Sequence, residues 1–229
     1  MIDQGCLELT DFFFNKRIKA FFSYRNFYFE DSNDVLKFSN ICGFDPKSLA
    51  IPNQIHSINV KQISKTGYIS NTDGLFTSNQ SITCSIQVAD CLPVFFSHNT
   101  SLFYGLVHIG WRGLVNGILS QSVKLLNNNS LDIENIQVIV GPSIQSCCYE
   151  VSENLVNSFN RDFTNKKSNG KYSVDLQGIL KKRLKFHGFL NKNINVLKDC
   201  TFCENSKYFS FRREGSQAGR MFGLIGTKY

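Results

Sequence analysis

Leu102-Phe103-Tyr104-Gly105-Leu106-Val107-His108-Ile109-Gly110-Trp111-Arg112-Gly113 combines, in consecutive residues, a strand, a turn and the start of a helix. Leu102 to Ile109 is apolar on both faces, as expected of a central strand covered on both sides. Gly110 to Gly113 reads as a turn. Beyond it the apolar pairs Leu114/Val115, Ile118/Leu119 and Leu125/Leu126 recur at helical spacing. A doubly covered strand that feeds an amphipathic helix is a building unit of α/β proteins. His108 ends the strand, and ligand sites in open α/β sheets commonly lie just beyond such ends.

The same patterns extend outward. Gln54 to Ile63 reads as a strand with His56, Ile58 and Val60 on one face. Ser81 to Val88 alternates almost strictly, with Ile82, Cys84, Ile86 and Val88 on one side. It ends near Asp90-Cys91-Leu92-Pro93, where the proline is expected to interrupt the ladder. Ile136 to Val140 is a further buried strand. Glu153 to Phe163 and Leu176 to Phe186 read as amphipathic helices. Asn193 to Leu197, Lys207 to Phe211 and Met221 to Ile225 read as late strands, whereas the first fifty residues are poorly patterned. Strands and helices interleave without a simple βαβ repeat. The expectation is one α/β domain over residues 1–229, with a mixed sheet flanked by helices.

Hydrophobic residues make up 42% of the 229 and charged residues 19%, which supports a substantial core and excludes global disorder. The formal charge of +7 favours anionic partners. The densest basic clusters, Lys166-Lys167 and Lys181-Lys182-Arg183, are short, so a small anionic substrate is expected rather than nucleic acid. Acids near the N-terminus and the lack of a long apolar run point away from a signal peptide or membrane span, and towards the cytoplasm with its eight cysteines reduced. Oligomeric state is not legible.

Four histidines make position informative. His56 and His108 lie on or at the end of apolar strands, and Cys91 follows a third. Two imidazoles and a thiolate form a sensible ligand set for zinc, with copper as the alternative, and leave a coordination position open. Taken singly, each histidine also fits a satisfied core position, and Cys91 an inert buried thiol. Cys200-x-x-Cys203 looks like half a zinc ribbon, with no second pair in the sequence to complete it. His98 and His187 read as surface residues, and Arg212, Arg213 and Arg220 as structural ion-pair residues.

A series of short motifs occurs in order: Gln54-Ile55-His56, Asp73-Gly74-Leu75, Ala89-Asp90-Cys91-Leu92-Pro93, Val107-His108-Ile109-Gly110-Trp111-Arg112-Gly113, Gly141-Pro142-Ser143-Ile144 and Cys148-Tyr149-Glu150-Val151. Val174-Asp175-Leu176, Cys200-Thr201, Phe209-Ser210-Phe211-Arg212-Arg213 and Gly219-Arg220-Met221 complete it. Together they resemble the laccase-domain family, also called purine nucleoside phosphorylase or peptidoglycan editing factor proteins. The resemblance runs from about Asn53 to Ile225. It implies the family's single α/β (cysteine-hydrolase-like) fold and a metal centre at His56, Cys91 and His108.

It also implies phosphorolysis of adenosine, inosine, guanosine or methylthioadenosine to base and (methylthio)ribose 1-phosphate, and deamination of adenosine to inosine. The expected partners are a nucleoside and phosphate. Asp90 is a candidate to orient a ligand or move protons, with a strand-end cap as the alternative. Arg112, opening its helix, is the candidate anion-binding and catalytic residue. Tyr149 and Glu150 are candidates to line the site. Arg25, in Tyr24-Arg25-Asn26-Phe27-Tyr28, stands near the family's N-terminal Arg but without the glycine-rich turn expected after it, and is carried as a substrate-binding candidate. The alternatives are an amidase that edits peptidoglycan precursors, a copper polyphenol oxidase, a Cys91 thiol hydrolase activated by His108, and a non-catalytic binding module.

Overall fold

In a computed structural model, which describes residues 5–27 and 34–227, the strands divide between two six-stranded mixed sheets and a small antiparallel one. The first sheet orders Cys6–Glu8, Ile18–Ser23, Met221–Thr227, Thr83–Val88, Leu49–Pro52 and Gly67–Ile69 side by side. The second orders Ile194–Val196, Ile136–Val140, Leu92–His98, Tyr104–Ile109, Gly74–Thr77 and Val60–Gln62. Glu150–Val151, Tyr172–Val174 and Thr164–Lys166 form the third. The α/β architecture is thus as expected, with its strands shared among sheets.

Side-chain alternation explains the layering. Val94, Phe96, Val107 and Ile109 face one way and pack with Leu114, Leu119 and Leu126 of the following helices and Leu180 and Leu184 of the helix Leu176–Phe186. Their neighbours Phe95 and Leu106 face the other way, against Ile86, Val88, Met221 and Ile225 of the first sheet. The first sheet's outer face is covered in turn by Val35 and Phe38 of the helix Asp34–Ile41. His108 shares the face of Tyr104 and Leu106, so it projects between the sheets at the end of its strand.

Several expected elements depart from the sequence pattern. No strand spans Gln54 to Ile63; pairing stops at Pro52 and resumes at Val60, and His56 takes φ = 58°. The ladder does not end at Pro93, which pairs with His108 as the second residue of Leu92–His98; the chain turns earlier, at Asp90, whose φ is 81°. The helix after His108 is two helices, Trp111–Asn116 and Ile118–Asn128, hinged at Gly117 with φ = 100°. Glu153 to Phe163 is only a short helix to Val156 and a 3-10 turn at Arg161–Phe163. Lys207 to Phe211 is not a strand, because Ser210 caps a helix over Phe211–Glu214 by accepting from the Arg213 amide. None of the described helices is long and apolar enough to cross a membrane.

Candidate functional site

Asp73 is the hub of the site. Its carboxylate is wholly buried at the start of the strand Gly74–Thr77, beside the strand that carries His108. One oxygen accepts from the His56 amide at 3.0 Å and faces His108 Nδ1 at 2.9 Å. The other accepts from the Ser57 amide and hydroxyl, both at 2.7 Å, and from the Ile55 amide at 3.3 Å. These bonds replace the missing ladder over residues 55–57 and hold His56 in its left-handed conformation. Burial acts to raise the Asp73 pKa, but the bonds from His108 and Ser57 outweigh it and hold the carboxyl at about 2.

With Nδ1 committed to Asp73, His108 presents Nε2 to the space where Cys91 and His56 converge. Cys91 Sγ lies 3.9 Å from His56 Nε2, and the His56 and His108 rings meet edge-on with centroids 4.7 Å apart. Ligand atoms of all three residues fall within 4.8 Å of one another. Zinc bonds of about 2.1 Å to nitrogen and 2.3 Å to sulfur set such atoms about 3.5 Å apart in a tetrahedron, so the three residues fit an ion. The carboxylate behind His108 is the partner a metal-bound imidazole ordinarily has. Gly110 closes the floor: a Cβ there would stand 3.0 Å from His56 Cδ2 and 3.1 Å from Cys91 Sγ. Burial opposes ionisation of both Cys91 and His108. Their mutual attraction prevails, with the further bonds from His56 and Asp73, holding the thiol down near 6 and the imidazole up near 9.

The triad opens into a cavity of about 530 Å³, within the range of small-molecule sites. Arg112, Arg212 and Arg220 all line it, and none has a carboxylate in salt-bridge reach among the described residues. Arg112 lies over the Trp111 ring at 4.5 Å, and Arg212 over Tyr149 at 5.1 Å. Arg212 also donates to the Glu150 carbonyl at 2.7 Å, which fixes its direction. Tyr149 is buried, which pushes its phenol up to about 12 despite the nearby arginines. Gln54, Gln87 and Phe211 contribute to the remaining wall.

The other candidates distribute plainly. Asp90 borders the cavity, but its carboxylate accepts from Thr201 Oγ1 at 2.6 Å, Ser210 Oγ at 3.0 Å and the Arg212 amide at 2.7 Å. It thus anchors the loops around Cys91 from the end of its strand. Glu150 is not among the lining residues: its carbonyl accepts from Arg212, and its side chain accepts from Asn169 at 3.2 Å. Arg25 lies outside the lining residues, paired with Glu214 at 3.3 Å and set over Phe209; Tyr28 lies outside the described residues. Of the three late arginines only Arg213 has an ion-pair partner among the described residues, Glu214 at 2.6 Å. Arg212 and Arg220 face the cavity instead. His98 and His187 are outside it, with Ser101 and Ser120 as partners. The half ribbon at Cys200 and Cys203 does find a second pair, Cys147 and Cys148. In the sequence Asp73 stands out only through the Asp73-Gly74-Leu75 motif; it follows the polar Ser70-Asn71-Thr72, and no local pattern marks it as the partner of both histidines.

The model of the multi-copper polyphenol oxidoreductase laccase family matches residues 30–228. The chain belongs to that family. Among family relatives, it is 30% identical over 193 residues to the purine nucleoside phosphorylase YlmD of Geobacillus stearothermophilus, covering 76% of this chain and 70% of that one. It is 29% identical over 203 residues to the adenosine deaminase RL5 of an unknown prokaryotic organism, covering 81% and 78%. The crystal structure of the Geobacillus YlmD superposes with a TM-score of 0.86 at 25% identity over 93% of both chains.

Proposed function

We propose that this chain is a zinc-dependent purine nucleoside enzyme. It cleaves adenosine, inosine, guanosine or methylthioadenosine with phosphate, and deaminates adenosine to inosine. The observation that carries the reading is the meeting, in one cavity, of the His56–Cys91–His108 cluster with three arginines that have no carboxylate partner among the described residues. The names of the relatives support it, one a purine nucleoside phosphorylase and one an adenosine deaminase.

His56, Cys91 and His108 would hold the ion, which would supply Lewis acidity to the cavity. Asp73 keeps the proton of His108 on Nδ1 and so keeps Nε2 free to bind. Arg112, Arg212 and Arg220 receive phosphate and lower the cost of bringing an anion to the sugar. Trp111 and Phe211 offer apolar faces to the base. Tyr149, held neutral, is a proton donor for hydrogen bonding rather than a second anion. The cytoplasm is the proposed compartment.

The test is direct: adenosine with phosphate gives adenine, and adenosine without phosphate gives inosine. Absence of both products from zinc-replete protein refutes the reading. The same three arginines fit an anionic sugar nucleotide, which favours a second reading as an amidase acting on peptidoglycan precursors. Cleavage of a serine-bearing precursor without nucleoside turnover would put that reading first.

A further inference from the structure

Beside the His56–Cys91–His108 cluster, the chain brings four more sulfurs together. Cys147 and Cys148 lie in the loop after Ile136–Val140, and Cys200 and Cys203 in the loop after Ile194–Val196. Those two strands are parallel neighbours, so their loops leave the sheet side by side. A lone parallel bridge continues the pairing at Ser143 and Cys200, with the Thr201 amide donating to the Ser143 carbonyl at 3.2 Å.

The four Sγ atoms fall within 4.8 Å of one another, with Cys148–Cys203 at 3.3 Å and Cys147–Cys203 at 3.8 Å. A disulfide needs about 2.05 Å. Four thiolates around zinc at about 2.3 Å stand about 3.8 Å apart, and the sulfur separations here, from 3.3 Å to at most 4.8 Å, bracket that spacing. One backbone donor already faces the cluster. The Gln145 amide donates to Cys200 Sγ at 3.4 Å. Guanidinium groups flank both loops: Arg212 donates to the Cys148 carbonyl, and Arg213 to the carbonyls of Thr201 and Phe202.

We propose that Cys147, Cys148, Cys200 and Cys203 form a second, structural zinc site that clasps the two loops forming the Tyr149–Arg212 side of the cavity. Binding replaces four S–H bonds by four Zn–S bonds and releases four protons, with no change of oxidation state. Four protein ligands close the coordination shell, so the site holds the loops and does no chemistry.

The test counts metal in intact protein purified under reducing conditions without added zinc. Wild type should hold two zinc ions per chain. The Cys147→Ser/Cys203→Ser variant, changed at two exposed cysteines, should hold one. Cys91→Ser should also lose one, so this count is independent of the activity proposed above. Cobalt substitution should give the intense visible bands of a tetrahedral tetrathiolate in wild type and in Cys91→Ser, and not in the double variant. If the double variant fails to fold, Cys147→Ser alone should release one zinc to a chelator faster than wild type does. An unchanged zinc count and cobalt spectrum on removing these cysteines, or a disulfide among them in the native protein, would overturn the proposal.

Discussion

Asp73→Asn is the most informative single change, because the Asp73 oxygens serve both histidines. The carboxylate accepts three backbone amides, a hydroxyl and an imidazole N–H. An amide of the same shape keeps one acceptor. If its oxygen stays with His56 and His108, its NH₂ group faces the Ile55 and Ser57 amides, donor against donor. Each buried donor left without an acceptor costs roughly 1–3 kcal/mol. If it flips, His108 must move its proton to Nε2 and can no longer bind an ion through that atom. The carboxyl itself, held at about 2 against about 3.9 in an unfolded chain, contributes roughly 2–3 kcal/mol at neutral pH. Its folded pKa is the lower one. The stabilisation is therefore complete above about pH 4 and disappears as pH falls towards 2. The expected result is a melting temperature lower by roughly 5–20 °C for the metal-free Asp73→Asn variant at pH 7, from about 2–5 kcal/mol over a chain of this length. The gap should narrow in acid, where wild type loses what the variant never had. Zinc affinity should fall about 10–100-fold. Calorimetry across pH and chelator competition measure both. Equal melting temperatures, or a gap unchanged down to pH 3, would refute the hub.

Other expectations follow from the same geometry. Gly110→Ala has a compatible backbone, φ −77° and ψ 169°, but its Cβ must push His56 or Cys91 aside. Metal distances tolerate only about 0.2 Å, so chelator titration should show zinc affinity about tenfold lower or worse, with melting nearly unchanged. His56→Ala and Cys91→Ser should each remove the zinc held by the triad, by elemental analysis, and retain wild-type circular dichroism; full zinc in either defeats the assignment. Phosphate KM should rise from wild type to Arg112→Lys to Arg112→Ala, by roughly ten- to a hundredfold at the end of the series. Deamination should change less, and equal loss of both reactions would give Arg112 a structural role. Arg25→Ala should leave nucleoside KM unchanged and cost at most about 1 kcal/mol of stability, in keeping with its partly exposed pair with Glu214.

The parts legible in the sequence are those where one physical demand dominates. Tyr104–Ile109 and Ile136–Val140 are apolar apart from His108 and Gln137 because both faces are covered, and Leu176–Phe186 shows its helical stripe because only one face is. His56 defeated the same logic. Its alternation with Ile58 and Val60 imitates a strand, yet a distant carboxylate captures the local amides. Arg212 and Arg213 are adjacent and chemically identical. Which faces the cavity depends on the helix that Ser210 caps, and a single sequence does not show that cap's direction. The pairing of Cys147 and Cys148 with Cys200 and Cys203 depends on which strands are neighbours, and no local spacing encodes it. The first fifty residues are patterned weakly because Ile18–Ser23 is a central strand, while Cys6–Glu8 is a short edge.

The three proposed metal ligands do not stand on equal ground. His108 is built into a central strand and Cys91 directly precedes its neighbour, so both are in place once the second sheet forms. His56 sits on an exposed turn with no ladder of its own, held by one carboxylate. Loading should therefore run in order: an ion first meets a two-point anchor, and the turn then closes over it as the third. In hydrogen exchange, the amides of Ile55, His56 and Ser57 should open readily without metal and slow sharply with it, while those around His108 barely respond. The affinity of the centre is then set as much by the stiffness of a three-residue turn as by the chemistry of its donors.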